Sequence, residues 1–217
     1  MRIKRRSRKT ANSISDNMPS IDTNRKIGIF AQSNAGKTYL VMKLIRYICS
    51  NGDNVAIYDT DHMDRNKYDF SGISGCYVFN PAIGKEDNPT YLNKWLLAIK
   101  ASKRPGTKLF VFIDDIDSFF DEHNANAFDF GELKNLASKG RHQGIGILYA
   151  SKFTSWLPTQ LIQNTNLFYI GAFPNEKSFK KLEAIVKFAE IKALDFSKHE
   201  FLEIDVDNNF KKRVVIA

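Results

Sequence analysis

One segment near the start of the chain constrains its fold more than any other. Residues 27–31 form a short apolar run, and a polar loop that ends in Gly36-Lys37-Thr38 follows directly. Through residues 37–50 the apolar side chains then recur at the three- and four-residue spacing of an amphipathic helix. A buried strand, a glycine-containing loop and a helix in this order are typical of α/β domains.

Apolar runs alternate with helical segments along most of the remaining chain. The predicted strands are residues 27–31, 55–58, 77–79, 109–113, 145–150 and 167–172, and the predicted helices are residues 37–50, 91–101, 130–138 and 177–191. Residues 203–206 and 213–216, separated by a polar turn, predict a C-terminal hairpin. Most strands are continuously apolar, which is typical of parallel strands covered on both faces. We therefore predict a doubly wound α/β domain in which helices flank a mainly parallel sheet.

Length and charge divide the chain into a tail and one domain. With 217 residues, 43% of them hydrophobic, the chain can bury one substantial core. The formal net charge is +8, and six positive charges without any acid lie within residues 1–9. Residues 10–24 are mostly polar and predict a linker. We predict a basic, flexible tail and linker over residues 1–24 and a folded domain over residues 25–217. The tail either contacts DNA phosphates or only aids solubility.

Cysteine content and hydropathy indicate where the protein resides. Cys49 and Cys76 are too few for a disulfide framework and lack the paired spacing of a zinc site, which favours a reducing compartment. No apolar run approaches the roughly 18 to 20 residues that span a bilayer, and the charged first residues are unlike a secretory signal. We expect a cytoplasmic protein without membrane insertion.

The loop before the first helix has most residues of a Walker A motif. Its predicted nucleotide contacts are Ala31, Gln32, Ser33, Asn34, Ala35, Gly36, Lys37 and Thr38. Backbone N–H groups of such a loop and of the helix N-terminus converge on a β-phosphate. We predict that Lys37 reaches the β- and γ-phosphates of ATP and that the Thr38 hydroxyl ligates Mg²⁺. The motif's first glycine is Ala31 here, and alanine has less freedom at positive φ.

Two carboxylates, Asp114 and Asp115, follow the predicted strand at residues 109–113. Ligands of open parallel sheets bind beyond the C-terminal ends of the strands, so both side chains should lie at the edge of the sheet where a ligand binds. Asp114 suits the Walker B role of holding Mg²⁺ through water, and Asp115 suits a base that polarises the attacking water. A competing interpretation is a loop of helix-capping aspartates that continues through Asp117 and Asp121.

A third segment, together with both motifs, resembles a known superfamily. Residues 138–152 (SKGRHQGIGILYASK) look like the arginine, glycine, apolar strand and sensor segment of the FtsK/HerA superfamily. Leu157-Pro158 and Asn164-Thr165-Asn166 are similar to its downstream pattern, and the resemblance covers about residues 25–173. It implies a RecA-like P-loop NTPase domain.

The resemblance also implies a function and partners. FtsK/HerA proteins are ring ATPases that pump double-stranded DNA, and small single-domain members include viral ATPases that package genomes into preformed capsids with an internal membrane. For this chain the resemblance implies ATP and Mg²⁺ as ligands, double-stranded DNA as substrate and self-association into a hexameric ring. Capsid proteins would be further partners, in the host cytoplasm or at the capsid vertex.

Two catalytic roles follow from the same resemblance. Arg141 would be the finger that reaches a neighbouring subunit's γ-phosphate, and Lys152 would occupy the sensor position. The superfamily more often has Glu at the position of Asp115 and Gln at that of Lys152. A cation near a helix end also interacts favourably with the helix dipole, which is a purely structural explanation for Arg141.

Other functions are compatible with the same motifs. A helicase or replication-associated ATPase of a virus or plasmid uses this fold, and a nucleotide kinase uses this loop for transfer to an acceptor other than water. The Asp114-Asp115 pair counts against a kinase, and a non-enzymatic scaffold is the remaining alternative. His62, His123 and His199 lack metal-ligand spacing, so we interpret them as ordinary side chains.

Overall fold

The domain is built on one sheet, seen in a computed structural model that describes residues 21–60, 70, 72–85, 87–120, 131–173 and 175–216. The strands are β1 (Lys26–Phe30), β2 (Asn54–Tyr58), β3 (Cys76–Phe79), β4 (Leu109–Ile113), β5 (Ile145–Ser151), β6 (Leu167–Ile170), β7 (Glu200–Asp205) and β8 (Phe210–Val215). The α-helices are α1 (Lys37–Ser50), α2 (Pro89–Ser102), α3 (Gly131–Lys139), α4 (Thr159–Gln163), α5 (Glu176–Phe179) and α6 (Phe188–Lys192). Strands and helices alternate, as the sequence predicts.

The strand order positions the functional residues. The sheet runs β3-β2-β4-β5-β1-β6-β7-β8; the first six strands in this order are parallel, and β7 and β8 are antiparallel additions. Because β5 lies between β1 and β4, the ends of these three strands bring the loop, the acid pair and Lys152 to the same edge of the sheet. The predicted fold class and C-terminal hairpin are confirmed, with hairpin strands longer than predicted.

The core lies on both faces of the sheet. In β1, Ile27 and Ile29 belong to one buried cluster, whereas Phe30 belongs to the other, as alternating strand geometry requires. Helix α1 packs on the first face through Leu40, Val41, Leu44, Ile45 and Ile48. On the opposite face α2 contributes Leu92 and Leu96, and α3 contributes Leu133 and Leu136. Each fully buried aliphatic side chain of this kind contributes about 1.5–3 kcal/mol, so both layers stabilise the sheet edge that carries the cleft.

The predicted helix over residues 177–191 is wrong as a single element. Helix α5 ends early, a 3₁₀ turn follows at Lys180–Leu182, and α6 begins only at Phe188. Leu182 and Val186 have helical spacing, but the next buried residue, Ile191, comes five positions later, where a straight helix would turn it toward another face. The chain therefore changes direction between Val186 and Phe188 so that all three side chains reach the core.

One further difference concerns a short helix outside the main pattern. Helix α4 has five residues and was not predicted, because a single turn is too short to show helical periodicity. The basic tail of residues 1–9 and most of the linker lie outside the described residues, so their roles stay predictions. Across the described ranges, we find no helix that is both long and apolar enough to span a membrane.

Candidate active site

A cleft of about 510 Å³ opens at the edge of the sheet where the parallel strands end. Its lining residues are Ser33, Asn34, Gly36, Lys37, Thr38, Tyr39, Asp114, Asp115, Lys152 and His199. The cleft therefore brings together five residues of the predicted loop, both predicted carboxylates and the predicted sensor lysine. Tyr39 is an addition that the sequence analysis did not name, and His199, which it interpreted as an ordinary side chain, also lines the cleft.

The loop has the backbone conformation of a tight phosphate-binding turn. Asn34 and Gly36 have positive φ angles of 63° and 89°, and Gly36 precedes the first residue of α1 directly. The Lys37 ammonium is buried and donates hydrogen bonds to the backbone carbonyls of Ala31 at 2.7 Å and Gln32 at 3.1 Å. Lys37 thus closes the loop on itself and holds a positive charge at its centre.

The pKa of Lys37 is lowered, first because burial disfavours the charged form. The Asp115 carboxylate acts in the opposite direction, and the Lys152 ammonium lowers the pKa further. A partly desolvated cation gains more from an anionic ligand than an exposed one does, because the surrounding protein screens the attraction less. Lys37 therefore favours a negatively charged group at the loop.

Ala31 replaces the motif's first glycine. Its methyl group is accommodated by Gly171, which directly follows β6, the strand next to β1. Ala31 is fully buried and is not among the described residues with positive φ. A β-carbon placed on Gly171 would lie 3.0 Å from the Ala31 methyl carbon and 2.9 Å from the Phe201 ring. Gly171 therefore provides the space that the Ala31 methyl group occupies.

We expect Gly171→Ala to destabilise the fold by roughly 1–3 kcal/mol through overpacking against Ala31 and Phe201. Ala31→Gly should recover part of this loss in the double variant, because it removes one of the two close contacts. Urea unfolding of the four proteins of this double-mutant cycle measures the coupling. Additive free energies of unfolding would contradict the assigned pairing of the two residues.

The acid pair occupies the end of β4. Asp114 is buried, and its N–H donates to the Tyr58 carbonyl at 3.1 Å, which continues the pairing of β4 with β2. Asp115 has a φ angle of 38°, which a non-glycine residue adopts only at a cost. This turn directs the two successive carboxylates into the cleft. Asp115 is the N-cap residue of a 3₁₀ helix (Ile116–Phe119), but its side chain makes no capping hydrogen bond, contrary to the capping interpretation of this residue; Asp121 lies outside the described residues.

Lys152 contacts the acid pair directly. Its ammonium nitrogen lies 2.7 Å from Oδ2 of Asp115, and its backbone N–H donates to Oδ1 of Asp117 at 3.0 Å. Burial raises the pKa of Asp117, and the hydrogen bond from Lys152 partly offsets that rise. Asp117 thus positions the end of β5 against β4, a role that could not be derived from its place in an aspartate-rich loop.

Arg141 and the cleft lie at opposite ends of strand β5. It belongs to a 3₁₀ turn (Gly140–Gln143) before β5, whereas Lys152 follows that seven-residue strand. A strand of this length spans roughly 20 Å at about 3.3 Å per residue. Arg141 lies near Lys26, the first residue of β1, and its charge adds to burial in lowering the pKa of Lys26. Arg141 is therefore too far away to contact the cleft of the same chain.

The chain has no detectable relative by sequence in two comparisons. No protein-family model matches it, and no curated protein matches it. Sequence comparison thus adds nothing to the motifs themselves.

Solved structures with the same architecture do exist. The genome packaging NTPase B204 from Sulfolobus turreted icosahedral virus 2, in complex with ATP-gammaS, matches with a TM-score of 0.72 and 16% identity over 89% of this chain and 98% of that one. The domain has a P-loop NTPase fold. The pCW3 conjugation coupling protein TcpA matches this P-loop domain with a TM-score of 0.62 and 16% identity, over 91% of this chain and 62% of that one.

The ATPase region of EssC from Geobacillus thermodenitrificans matches the P-loop domain less closely, with a TM-score of 0.56 and 14% identity over 89% of this chain and 40% of that one. At such identities the shared property is the fold. The predicted P-loop NTPase fold class is thereby confirmed, and so is the resemblance to FtsK/HerA-like ATPases as a likeness of fold.

Proposed function

We propose that this protein is an ATPase whose cleft binds ATP with Mg²⁺ and hydrolyses it to ADP and phosphate. The observation that carries the proposal is the convergence of a lysine-centred phosphate loop and two successive carboxylates on one cleft. The loop alone would explain nucleotide binding, whereas the carboxylates add groups that hold a metal and activate water.

The residues present fit a triphosphate and its magnesium ion. Lys37 and the backbone N–H groups of the loop would bind the β- and γ-phosphates. The Thr38 hydroxyl and the Asp114 carboxylate offer the oxygen donors that Mg²⁺ prefers, with phosphate and water oxygens to complete its shell. When bound, the ion neutralises charge that develops on the phosphates.

Asp115 and Lys152 are the proposed hydrolytic pair. An attacking water donates a hydrogen bond to the Asp115 carboxylate while its oxygen bonds to the γ-phosphorus. The bond between the γ-phosphorus and the bridging oxygen breaks, ADP departs, and the proton of the water passes by way of Asp115 to the released phosphate. The Lys152 ammonium, 2.7 Å from Asp115, holds that carboxylate in place and carries positive charge toward the γ-phosphate. An arriving γ-phosphate competes with Asp115 for Lys152, which links nucleotide binding to the freeing of the base.

We further propose that the energy drives movement of double-stranded DNA, as in viral genome packaging, by a ring of these subunits. Support comes from the fold shared with the packaging NTPase B204 and from the exposed position of Arg141 on the far edge of the sheet. From that edge Arg141 can serve only a neighbouring subunit, where a cation stabilises transition-state charge.

Double-stranded DNA should stimulate phosphate release from Mg²⁺-ATP several-fold, and the stimulation should fall steeply with salt because phosphate contacts release counterions. The measurement is steady-state phosphate release with duplex DNA, single-stranded DNA or no DNA, with Lys37→Ala as the inactive control. Stronger stimulation by single strands together with strand separation would favour a helicase instead. Release indifferent to DNA, with phosphate appearing on a nucleoside, would contradict the motor and favour a kinase.

Arg141→Ala should lower hydrolysis about 10³-fold, the scale expected for an arginine finger. Mixing this variant with Lys37→Ala should recover part of the activity, because each intact cleft of Arg141→Ala can then receive Arg141 from a Lys37→Ala neighbour. Arg104→Ala is the matched control, since Arg104 is also exposed and precedes β4 at the same sheet edge. Full activity of an assembled Arg141→Ala ring would contradict action in trans.

A further inference from the structure

The cleft has two chemically different ends. Asp114, Asp115 and Lys152 follow β4 and β5, which lie on one side of β1. His199 precedes β7, which lies beyond β6 on the other side of β1. Because the acid pair and Lys152 face the γ-phosphate in the proposed function, the nucleoside half of ATP extends toward the opposite end.

His199 lies directly against the phosphate loop. A β-carbon placed on Gly36 would come within 3.0 Å of the His199 Cβ and 3.2 Å of its Nδ1. His199 has a φ angle of 49°, a conformation in which histidine is enriched, and its carbonyl accepts a hydrogen bond from the Ile216 N–H at 3.3 Å. The backbone therefore holds this side chain over the loop, on the wall of the cleft.

Tyr39 contributes a second ring to the lining of the cleft. It lies in the first turn of α1, directly after the proposed magnesium ligand Thr38, and its side chain is 44% exposed although α1 packs on the core. The Lys43 ammonium lies 4.7 Å from the centre of the Tyr39 ring. A ring that is nearly half exposed gains burial when a planar group stacks against it.

We propose that His199 and Tyr39 form the nucleobase site of the cleft and bind the base of ATP through ring stacking. The site depends on the proposed function, since it holds the nucleoside of the same bound nucleotide. Every base has a stacking face, so recognition of this kind tolerates different bases, and the larger purines should bind more tightly than pyrimidines. Gly36 then serves two purposes, because its missing side chain leaves space for His199.

The test separates contacts to the base from contacts to the phosphates. Binding of a ribose-labelled fluorescent ATP analogue is competed with unlabelled ATP and, separately, with inorganic tripolyphosphate. His199→Asn removes the ring but keeps a residue that tolerates positive φ, and Tyr39→Leu keeps a helix former. Each variant should weaken ATP binding about tenfold and leave tripolyphosphate binding within about twofold, and Tyr39→Phe should retain wild-type affinity for ATP.

His142→Asn and Tyr77→Leu are matched controls, because both side chains are exposed and neither lines the cleft. Both controls should bind ATP and tripolyphosphate as the wild-type protein does. Unchanged ATP affinity in His199→Asn and Tyr39→Leu, or an equal loss of ATP and tripolyphosphate affinity, would overturn the nucleobase site. Failure of the wild-type protein to bind either ligand would instead overturn the proposed function.

Discussion

Replacing Lys37 by alanine is expected to lower ATP hydrolysis by about 10³-fold or more and to weaken ATP binding. The substitution removes the buried positive charge at the centre of the loop and the donor that Ala31 and Gln32 share. Both carbonyls then lose their ammonium donor, so the loop loses positive charge and its internal hydrogen bonds together. Phosphate release and equilibrium binding of ATP measure the two losses separately.

The matched control is Lys94→Ala, because Lys94 is an exposed lysine within α2, outside the cleft. It should leave both hydrolysis and binding unchanged. Thermal unfolding of both variants tests whether the fold is intact. Hydrolysis by a folded Lys37→Ala protein within tenfold of wild type would contradict the role given to the loop.

Asp115→Asn is expected to lower hydrolysis by roughly 10²- to 10⁴-fold, the range for loss of a general base, while ATP binding is kept or becomes tighter. The amide cannot polarise the attacking water as a carboxylate does. The substitution also removes a negative charge near the γ-phosphate, and it releases Lys152 from its 2.7 Å ion pair with Asp115. Single-turnover hydrolysis, compared with equilibrium ATP binding, separates the chemical step from binding.

Asp87→Asn provides the control for this prediction, since Asp87 is exposed and does not line the cleft. Lys152→Gln should be less damaging than Asp115→Asn because an amide can still donate to the γ-phosphate. An Asp115→Asn protein that hydrolyses ATP at the wild-type rate would assign the base to another residue.

Residues that line the cleft could be predicted to lie together from the sequence where a motif and a strand end coincide. Gly36-Lys37-Thr38 follows an apolar strand, Asp114-Asp115 follows another, and Lys152 follows a third, so the sheet edge common to parallel strands places them in one cleft. The strand order, which inserts β5 between β1 and β4, depends on tertiary packing. Periodicity within a single segment contains no information on it.

Most of the residues that were missed lack a local signal, and Tyr39 is the exception. His199 reaches the loop only because antiparallel β7 begins at the edge where the parallel strands end. Asp117 acts through a contact with the backbone of a different strand end, and Gly171 acts by leaving space for Ala31. Tyr39 could have been identified from its position next to Thr38, since the first turn of such a helix borders the ligand.

Helix boundaries were predicted less well than strands. The segment from residue 177 to residue 191 has enough apolar residues for one helix, but a five-residue step to Ile191 interrupts its period. Local propensity could not decide between a continuous helix and two short ones, because the outcome depends on which side chains the neighbouring core can bury.

Product analysis of ATP incubated with the protein and Mg²⁺ tests the central claim most directly. The proposed cleft predicts equal amounts of ADP and inorganic phosphate from the wild-type protein and neither product above background from Lys37→Ala. ATP that is bound but remains intact with and without duplex DNA, or phosphate that is transferred to an acceptor other than water, would contradict the hydrolytic role of Asp114-Asp115.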